Sequence, residues 1–275
     1  MIEASMLHRP IKRSKARLLA GKWWFTIKRY ATWMSPKVKM ARIRSESDLV
    51  YNIFSHRTPL FRQLKEVDRW LHTNKAINLK LAANKLDGLT LKPGETFSYW
   101  RTIGKPTRSK GYVEGMVLFY GGFKTGVGGG LCQMSNLIYW MTLHTPLTVT
   151  ERHRHSYDVF PDVNRTQPFG SGATCAYNYL DLQIKNTTEA MYQLRVWVSE
   201  NELFGEWRSD LPHYNRYEVY EKEHIMASQP WGGYIRSNVI HRKIYNREQQ
   251  LLNDEYISSN NALMMYAPLL DQPVR

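Results

Sequence analysis

At 275 residues, with 43% hydrophobic and 13% aromatic content, the chain is able to bury a sizeable core, which excludes a disordered or fibrous class. Two cysteines, Cys132 and Cys175, cannot make a disulfide framework, although sequence leaves them free to pair with each other, and they fit a reducing compartment. The net charge of +14 is concentrated at one end: between Leu7 and Arg44 there are 12 lysines and arginines and no acidic residue, and the rest is nearly balanced.

That basic stretch, 1–45, reads as an N-terminal arm. Trp23, Trp24, Phe25, Tyr30 and Trp33 interleave with Lys22, Lys28 and Arg29. The pattern fits a solvated basic helix packed by its tryptophans onto the main domain, or an amphipathic segment on an anionic membrane surface. A nucleic-acid partner is the weakest reading, because no binding motif accompanies the charge. The best apolar run, 18–27, is interrupted by Lys22 and is far shorter than the roughly 20 residues a span needs. With no signal peptide visible either, the expectation is a cytoplasmic protein, at most peripheral at the inner face of the membrane.

A helical segment is expected over 46–84, with Ser47 as N-cap and Val67, Trp70, Leu71, Ile77, Leu79 and Leu81 as its apolar positions. A core domain follows over 85–200. Pro93-Gly94 reads as a turn feeding a strand, and Gly121-Gly122 supplies the positive φ of a tight hairpin flanked by 116–120 and Phe123. The hairpin delivers the chain to the glycine loop Gly126-Val127-Gly128-Gly129-Gly130, which runs into Leu131-Cys132-Gln133-Met134-Ser135-Asn136. Met134, Leu137, Ile138 and Met141 share one stripe of a helix; Cys132, Ser135, Asn136 and Tyr139 lie opposite. Thr145-Pro146 stops that helix. The β-branched run 147–152 is a strand, and its continuation places His153 and His155 on one face. Further strand regions fall at 175–179, 182–185 and 193–199. The 201–275 extension is polar, aromatic and without an assignable role. The whole predicts an α+β fold: mixed or antiparallel strands packed around a central helix that follows a Gly-rich loop, with a helical basic N-terminal segment.

A thiol where a glycine loop opens a helix sits in the positive field of the helix N-terminus, which favours thiolate. His155 or His153 would then act as base, and Gln133, by its side chain or with the backbone N–H groups of Cys132 and Gln133, as oxyanion donor. Each candidate also has a structural reading. Cys132 fits a packed thiol, and Gly128, Gly129 and Gly130 fit either a ligand cradle shared with Ser135 or tight packing. Cys175 reads as inert core. Salt-bridging is the default for Arg152 and Arg154. A zinc site from His144, His153, His155 and Cys132 has proper ligand types but no dense ligand motif, so neither metal nor cofactor is expected.

Gly126-Val127-Gly128-Gly129-Gly130-Leu131-Cys132-Gln133-Met134-Ser135, the segment Glu151-Arg152-His153-Arg154-His155-Ser156, and upstream Leu91-Lys92-Pro93-Gly94-Glu95-Thr96-Phe97-Ser98 together resemble the VanW family over about residues 85–190. The resemblance implies an association with glycopeptide resistance and cell-wall precursors, and no reaction. Its motif positions fall on Gly128, Gly129, Gly130, Cys132, Gln133, Ser135, His153 and His155. One departure stands out: where many relatives resemble Gly-Arg-Asp-Ala-Thr, this chain has Gly170-Ser171-Gly172-Ala173-Thr174, so a carboxylate is missing at Gly172. If that carboxylate orients the histidine, Asp181 or Asp158 is the expected substitute.

Two functions follow. The first is an accessory protein of glycopeptide resistance that binds a cell-wall precursor or peptide without a reaction. The second is a cysteine-dependent acyl transferase or hydrolase acting on a peptidoglycan peptide.

Overall fold

Ser14 starts the first helix, its side chain accepting the Arg17 N–H, and α1 runs over Lys15–Met34. The structure, a computed structural model, describes residues 14–61, 69–119, 121–159, 167–177 and 179–266. Residues 1–13 of the arm, Val67 of the expected helical segment, Tyr120 of the hairpin, Asn178 of the 175–179 region and 267–275 of the extension lie outside them. Only the C-terminal part of α1 is buried, through Arg29 and Trp33, whose indole donates to Ser98 Oγ at 3.0 Å. Packing by the arm's other tryptophans does not occur: Trp23 and Trp24 are exposed, because the core contacts lie on a different side of the helix.

The expected helical stretch over 46–84 divides in two. Its first half is strand β1 (Tyr51–Pro59), with helix α2 (Arg69–Leu86) only afterwards. The alternating exposed and half-buried residues of β1 carry a period of two that the helical reading missed, and pairing along β10 (Glu202–Ser209) satisfies its backbone. β10 in turn pairs with β9 (Tyr192–Val198), and β9 with β2 (Leu89–Leu91), in a four-stranded sheet of order β1-β10-β9-β2.

After β2, Gly94 takes a left-handed turn and leads into β3 (Thr96–Ser98), which passes directly into the short helix α3 (Tyr99–Ile103). β3 joins β8 (Gln183–Lys185) and β6 (Thr148–Glu151) in a three-stranded sheet. β4 (Glu114–Phe119) and β5 (Gly122–Val127) form the hairpin that reaches the glycine loop. The register pairs Phe119 with Gly122, so the turn sits one residue earlier than Gly121-Gly122 alone implies.

Helix α4 (Cys132–Thr142) follows the loop, and its expected core stripe of Met134, Leu137, Ile138 and Met141 is buried. Its other side is not open to solvent either. Ser135, Tyr139, Trp140 and Thr142 are also buried, since the helix is covered on both flanks; Trp207 of β10 donates to Thr142 Oγ1 at 3.1 Å. Gly205 of β10 lies so close to α4 that a Cβ there would meet Met141 Cε at 2.6 Å.

Three long antiparallel strands, β11 (Arg216–Ser228), β12 (Tyr234–Tyr245) and β13 (Leu251–Met264), build the C-terminal extension, and the two-residue β7 (Tyr157–Asp158) joins the β13 edge in parallel. This sheet supports α4: Arg242 of β12 donates to the carbonyls of Leu143 and Thr145 at 3.0 and 2.9 Å, placing a cation on the helix C-terminus. Helices and mixed sheets around one core make the fold α+β.

Candidate functional site

The glycine loop is shaped by close backbone packing. Gly128 and Gly130 have φ of 78° and 91°, a region that disfavours any side chain. At Gly129 a Cβ would stand 2.1 Å from the Gly115 carbonyl carbon, so β4 and the loop touch through their backbones. The fully buried Asn78 of α2 secures the contact by donating to the Gly129 and Val113 carbonyls at 2.9 and 3.0 Å while accepting from Val113 N–H. Gly128 and Gly129 N–H donate to Val113 and Gly126 carbonyls, and Lys75 packs over Gly130. Ser135, fully buried, donates to the Ala173 and Cys132 carbonyls.

Tyr99 of α3 holds the entry to α4, its hydroxyl donating to the Leu131 carbonyl at 2.8 Å. From this start the half-buried Cys132 thiol donates to the Cys175 carbonyl at 3.5 Å, and both cysteines are free. Burial pushes the Cys132 thiol pKa up, only partly offset by that hydrogen bond, and raises Cys175 further. The direction is opposite to the one expected from a helix N-terminus, because desolvation of a thiolate outweighs a partial charge. Gln133 turns away: its N–H donates to the Gly130 carbonyl, and its amide donates to Thr58 Oγ1 and the Pro59 carbonyl at the end of β1.

Strand β6 ends at Glu151, so the two histidines do not share a strand face. Past it the chain is held by other bonds: Thr174 N–H donates to the His153 carbonyl at 2.8 Å and Leu263 N–H to the Ser156 carbonyl. Two neighbouring residues thus tie this stretch together: Thr174 through its N–H to the His153 carbonyl, and Cys175 through its carbonyl to the Cys132 thiol. The His153 ring bonds Glu151 Oε1 through Nε2 at 2.9 Å. His155 is half-buried, burial lowers its pKa, and its ring makes no hydrogen bond among the described residues. Neither ring bonds the Cys132 thiol in this structure.

Glu151 is the residue that sequence reading overlooked. It accepts from Arg29 Nη1 at 2.6 Å and from Arg29 Nη2, and the Asp181 N–H reaches its Oε1 at 3.2 Å. Burial alone would raise its pKa, but the hydrogen bonds from His153 and Arg29 and the Arg29 charge bring it down to about 2. The expected substitutes do not serve. Asp181 accepts from Ser98 Oγ at 2.5 Å and Trp100 N–H at 3.0 Å, and Asp158 accepts from Tyr266 at 2.7 Å. The signal was available: Glu151 precedes His153 by two residues, at the end of the β-branched run that leads to it. At Gly172 a Cβ would meet Asn136 Oδ1 at 2.7 Å; Asn136 fills the space and accepts the Ala173 N–H.

Arg152 is occupied by the protein itself. Its guanidinium donates to the carbonyls of Gly172 and Gly170 and to Asn260 Oδ1 of β13, and lies 5.0 Å over the Tyr139 ring. Arg154 donates to the Asn261 carbonyl. A cavity of about 290 Å³ opens beside them, lined among others by Tyr139, Glu151, Arg152, Tyr256 and Ser258. Among the described residues no group of three or more His, Cys, Asp and Glu is placed to hold a metal ion, and no helix is long and apolar enough to cross a membrane.

A glycine loop packed onto a hairpin, a cysteine-initiated helix, and a carboxylate-held histidine define the candidate site on an α+β scaffold. The family profile described as "VanW like protein" matches residues 74–208. The chain is 31% identical over 226 residues to the vancomycin B-type resistance protein VanW of Enterococcus faecalis, covering 82% of each chain. It is 32% identical over 113 residues to the uncharacterized protein YoaR of Bacillus subtilis, covering 41% of this chain and 36% of that one. No solved structure matches. The chain belongs to the VanW family.

Proposed function

We propose that this chain is an accessory protein of glycopeptide (vancomycin) resistance, linked to cell-wall peptidoglycan precursors, and that it acts by binding without a reaction of its own. The likeness to the Enterococcus VanW protein over 82% of both chains carries the resistance reading. Binding is favoured over chemistry by the surroundings of the thiol: burial raises the Cys132 pKa, and the thiol donates to a main-chain carbonyl with no hydrogen bond to a histidine among the described residues. The cavity beside Glu151 and Arg152 supports this reading by offering a polar opening of about 290 Å³ to a precursor or peptide ligand.

A second reading is a cysteine-dependent acyl transferase or hydrolase with Cys132 as nucleophile and His153 as base. One observation favours it: Glu151 orients His153 as a carboxylate orients a catalytic imidazole, and the His153 carbonyl bonds Thr174, the neighbour of the Cys175 whose carbonyl accepts the thiol. It needs the thiol and the ring to meet in a liganded state.

The vancomycin susceptibility of the encoding strain tests both. Deleting the gene lowers resistance, and complementation with wild type or Cys132→Ser restores it equally. No change on deletion sinks the resistance reading. If wild type restores and Cys132→Ser does not, and alkylation of Cys132 in a Cys175→Ala background is fast below neutral pH but slow in His153→Ala, the enzyme reading replaces the binding one.

A further inference from the structure

Most of α1 stands clear of the molecule that its C-terminal part grips. At 3.6 residues per turn, Leu19, Trp23, Ile27, Tyr30 and Met34 fall in one line along the helix, with Ala16, Ala20 and Ala31 between them, in a sector about 140° wide that contains no charged residue. All five large side chains are exposed, at 61%, 68%, 58%, 45% and 82%. Arg17 and Lys28 border one edge of the sector and Lys15 and Lys22 the other, and all four are exposed. Arg29 and Trp33, which hold the helix to the core, lie on a different side; of the stripe, Tyr30 meets the core through a 3.1 Å hydrogen bond with the Tyr177 hydroxyl, so insertion of the other four needs no rearrangement.

An apolar stripe of this length in water is a costly surface, and a few hundred Å² of it marks an interaction site. We infer that α1 lies in the plane of an anionic lipid bilayer, with Leu19, Trp23, Ile27 and Met34 inserted at the headgroup–acyl boundary and the flanking lysines and arginines on acidic headgroups. The composition selects this occupant. Trp and Tyr beside Lys and Arg are the residues that settle at a membrane interface, and the described arm, free of acidic residues through Arg44, complements a negative surface. A second copy fits worse, since pairing two stripes would set Lys15, Arg17, Lys22 and Lys28 beside their like with no carboxylate on the helix to offset them. The same helix carries Arg29, which clamps Glu151, so a docked α1 holds the Cys132–His153 region in a fixed relation to the lipid surface.

Flotation of the full chain with vesicles tests the inference. Binding to vesicles of phosphatidylglycerol and phosphatidylcholine is expected, with pure phosphatidylcholine much weaker and the difference narrowing as salt is raised. Trp23→Ser/Ile27→Ser, at exposed positions that leave the fold intact by circular dichroism, lowers the partition by at least about tenfold. Lys22→Gln/Lys28→Gln lowers it roughly thirtyfold on anionic vesicles alone. Three outcomes overturn the inference: no binding to anionic vesicles at low salt, binding unchanged in Trp23→Ser/Ile27→Ser, or a dimer in sedimentation velocity that this variant dissociates without changing flotation. Such a failure leaves the resistance reading standing, because that rests on the family relationship.

Discussion

At the scale of single residues, space and charge decide what can change. Gly129→Ala drives a Cβ into the Gly115 carbonyl with backbone on both sides, and backbone cannot step aside as a flexible side chain does. A loss of about 3 kcal/mol or more is expected, read as a lowered midpoint in denaturant. Gly172→Ala meets only the end of Asn136, which can rotate at the expense of one hydrogen bond, so about 1 kcal/mol is expected by the same measurement. Glu151 gives a pH signature. Its folded pKa of about 2 lies below the ordinary carboxylate value of 4.5, so its stabilisation is complete above pH 4.5 and is lost as pH falls through that window toward 2. After discounting for partial solvent screening this is roughly 2 kcal/mol, and Glu151→Gln flattens the corresponding part of a stability–pH curve. An unchanged slope in that variant would mean the Arg29 and His153 contacts do not form in solution.

At the scale of elements, the attachment of α1 rests on very few groups. Arg29 is 8% exposed and faces Glu151 and Asp181, while Trp33 is the one large apolar side chain of the helix in the core. Arg29→Met leaves a shielded carboxylate pair without its cation, and about 3 kcal/mol is the usual cost of breaking such a pair. Limited proteolysis is expected to cut within 15–34 in this variant far faster than in wild type, with the remainder still resistant. Equal cutting rates would show that Trp33 and the Tyr30–Tyr177 hydrogen bond secure the helix without Arg29. Helix α4 has the opposite character: it is covered by β10 on one flank and capped at its C-terminus by Arg242, so its motion is coupled to the whole core.

Across the whole molecule, acid acts on the packing between β1 and α4. His144 stacks on Phe54 at 4.1 Å and its Nδ1–H donates to the Trp140 carbonyl, and burial brings its pKa down to about 4. Both states are neutral above pH 6.5, the ordinary histidine value; as pH falls from 6.5 to 4 the unfolded chain binds the proton first and stability drops. Up to about 3 kcal/mol is lost in this window through His144, and His144→Phe, which retains a stacked ring, flattens the slope between pH 6.5 and 4 while leaving the Glu151 slope below it. A slope that persists unchanged in His144→Phe would assign the transition to His56, His72, His155 or His213, whose pKa values burial also lowers.

The motif reading succeeded where a signal is local. Gly128 and Gly130 take the positive φ that only glycine accepts cheaply, the Met134 to Met141 stripe follows the helical period, and the family signature lies within short runs of neighbouring residues. Those features, with the concentration of charge at the N-terminus, were determined by the sequence alone because each depends on a residue and its near neighbours. The tertiary structure decided the rest. Arg29 reaches Glu151 across 122 positions, Asn260 of the extension receives Arg152 across 108, and the Cys132 thiol meets the carbonyl of Cys175, 43 residues on. Whether a thiol is activated or raised, and whether a strand extends to a histidine or stops before it, depends on desolvation and on partners that the chain brings close only by folding.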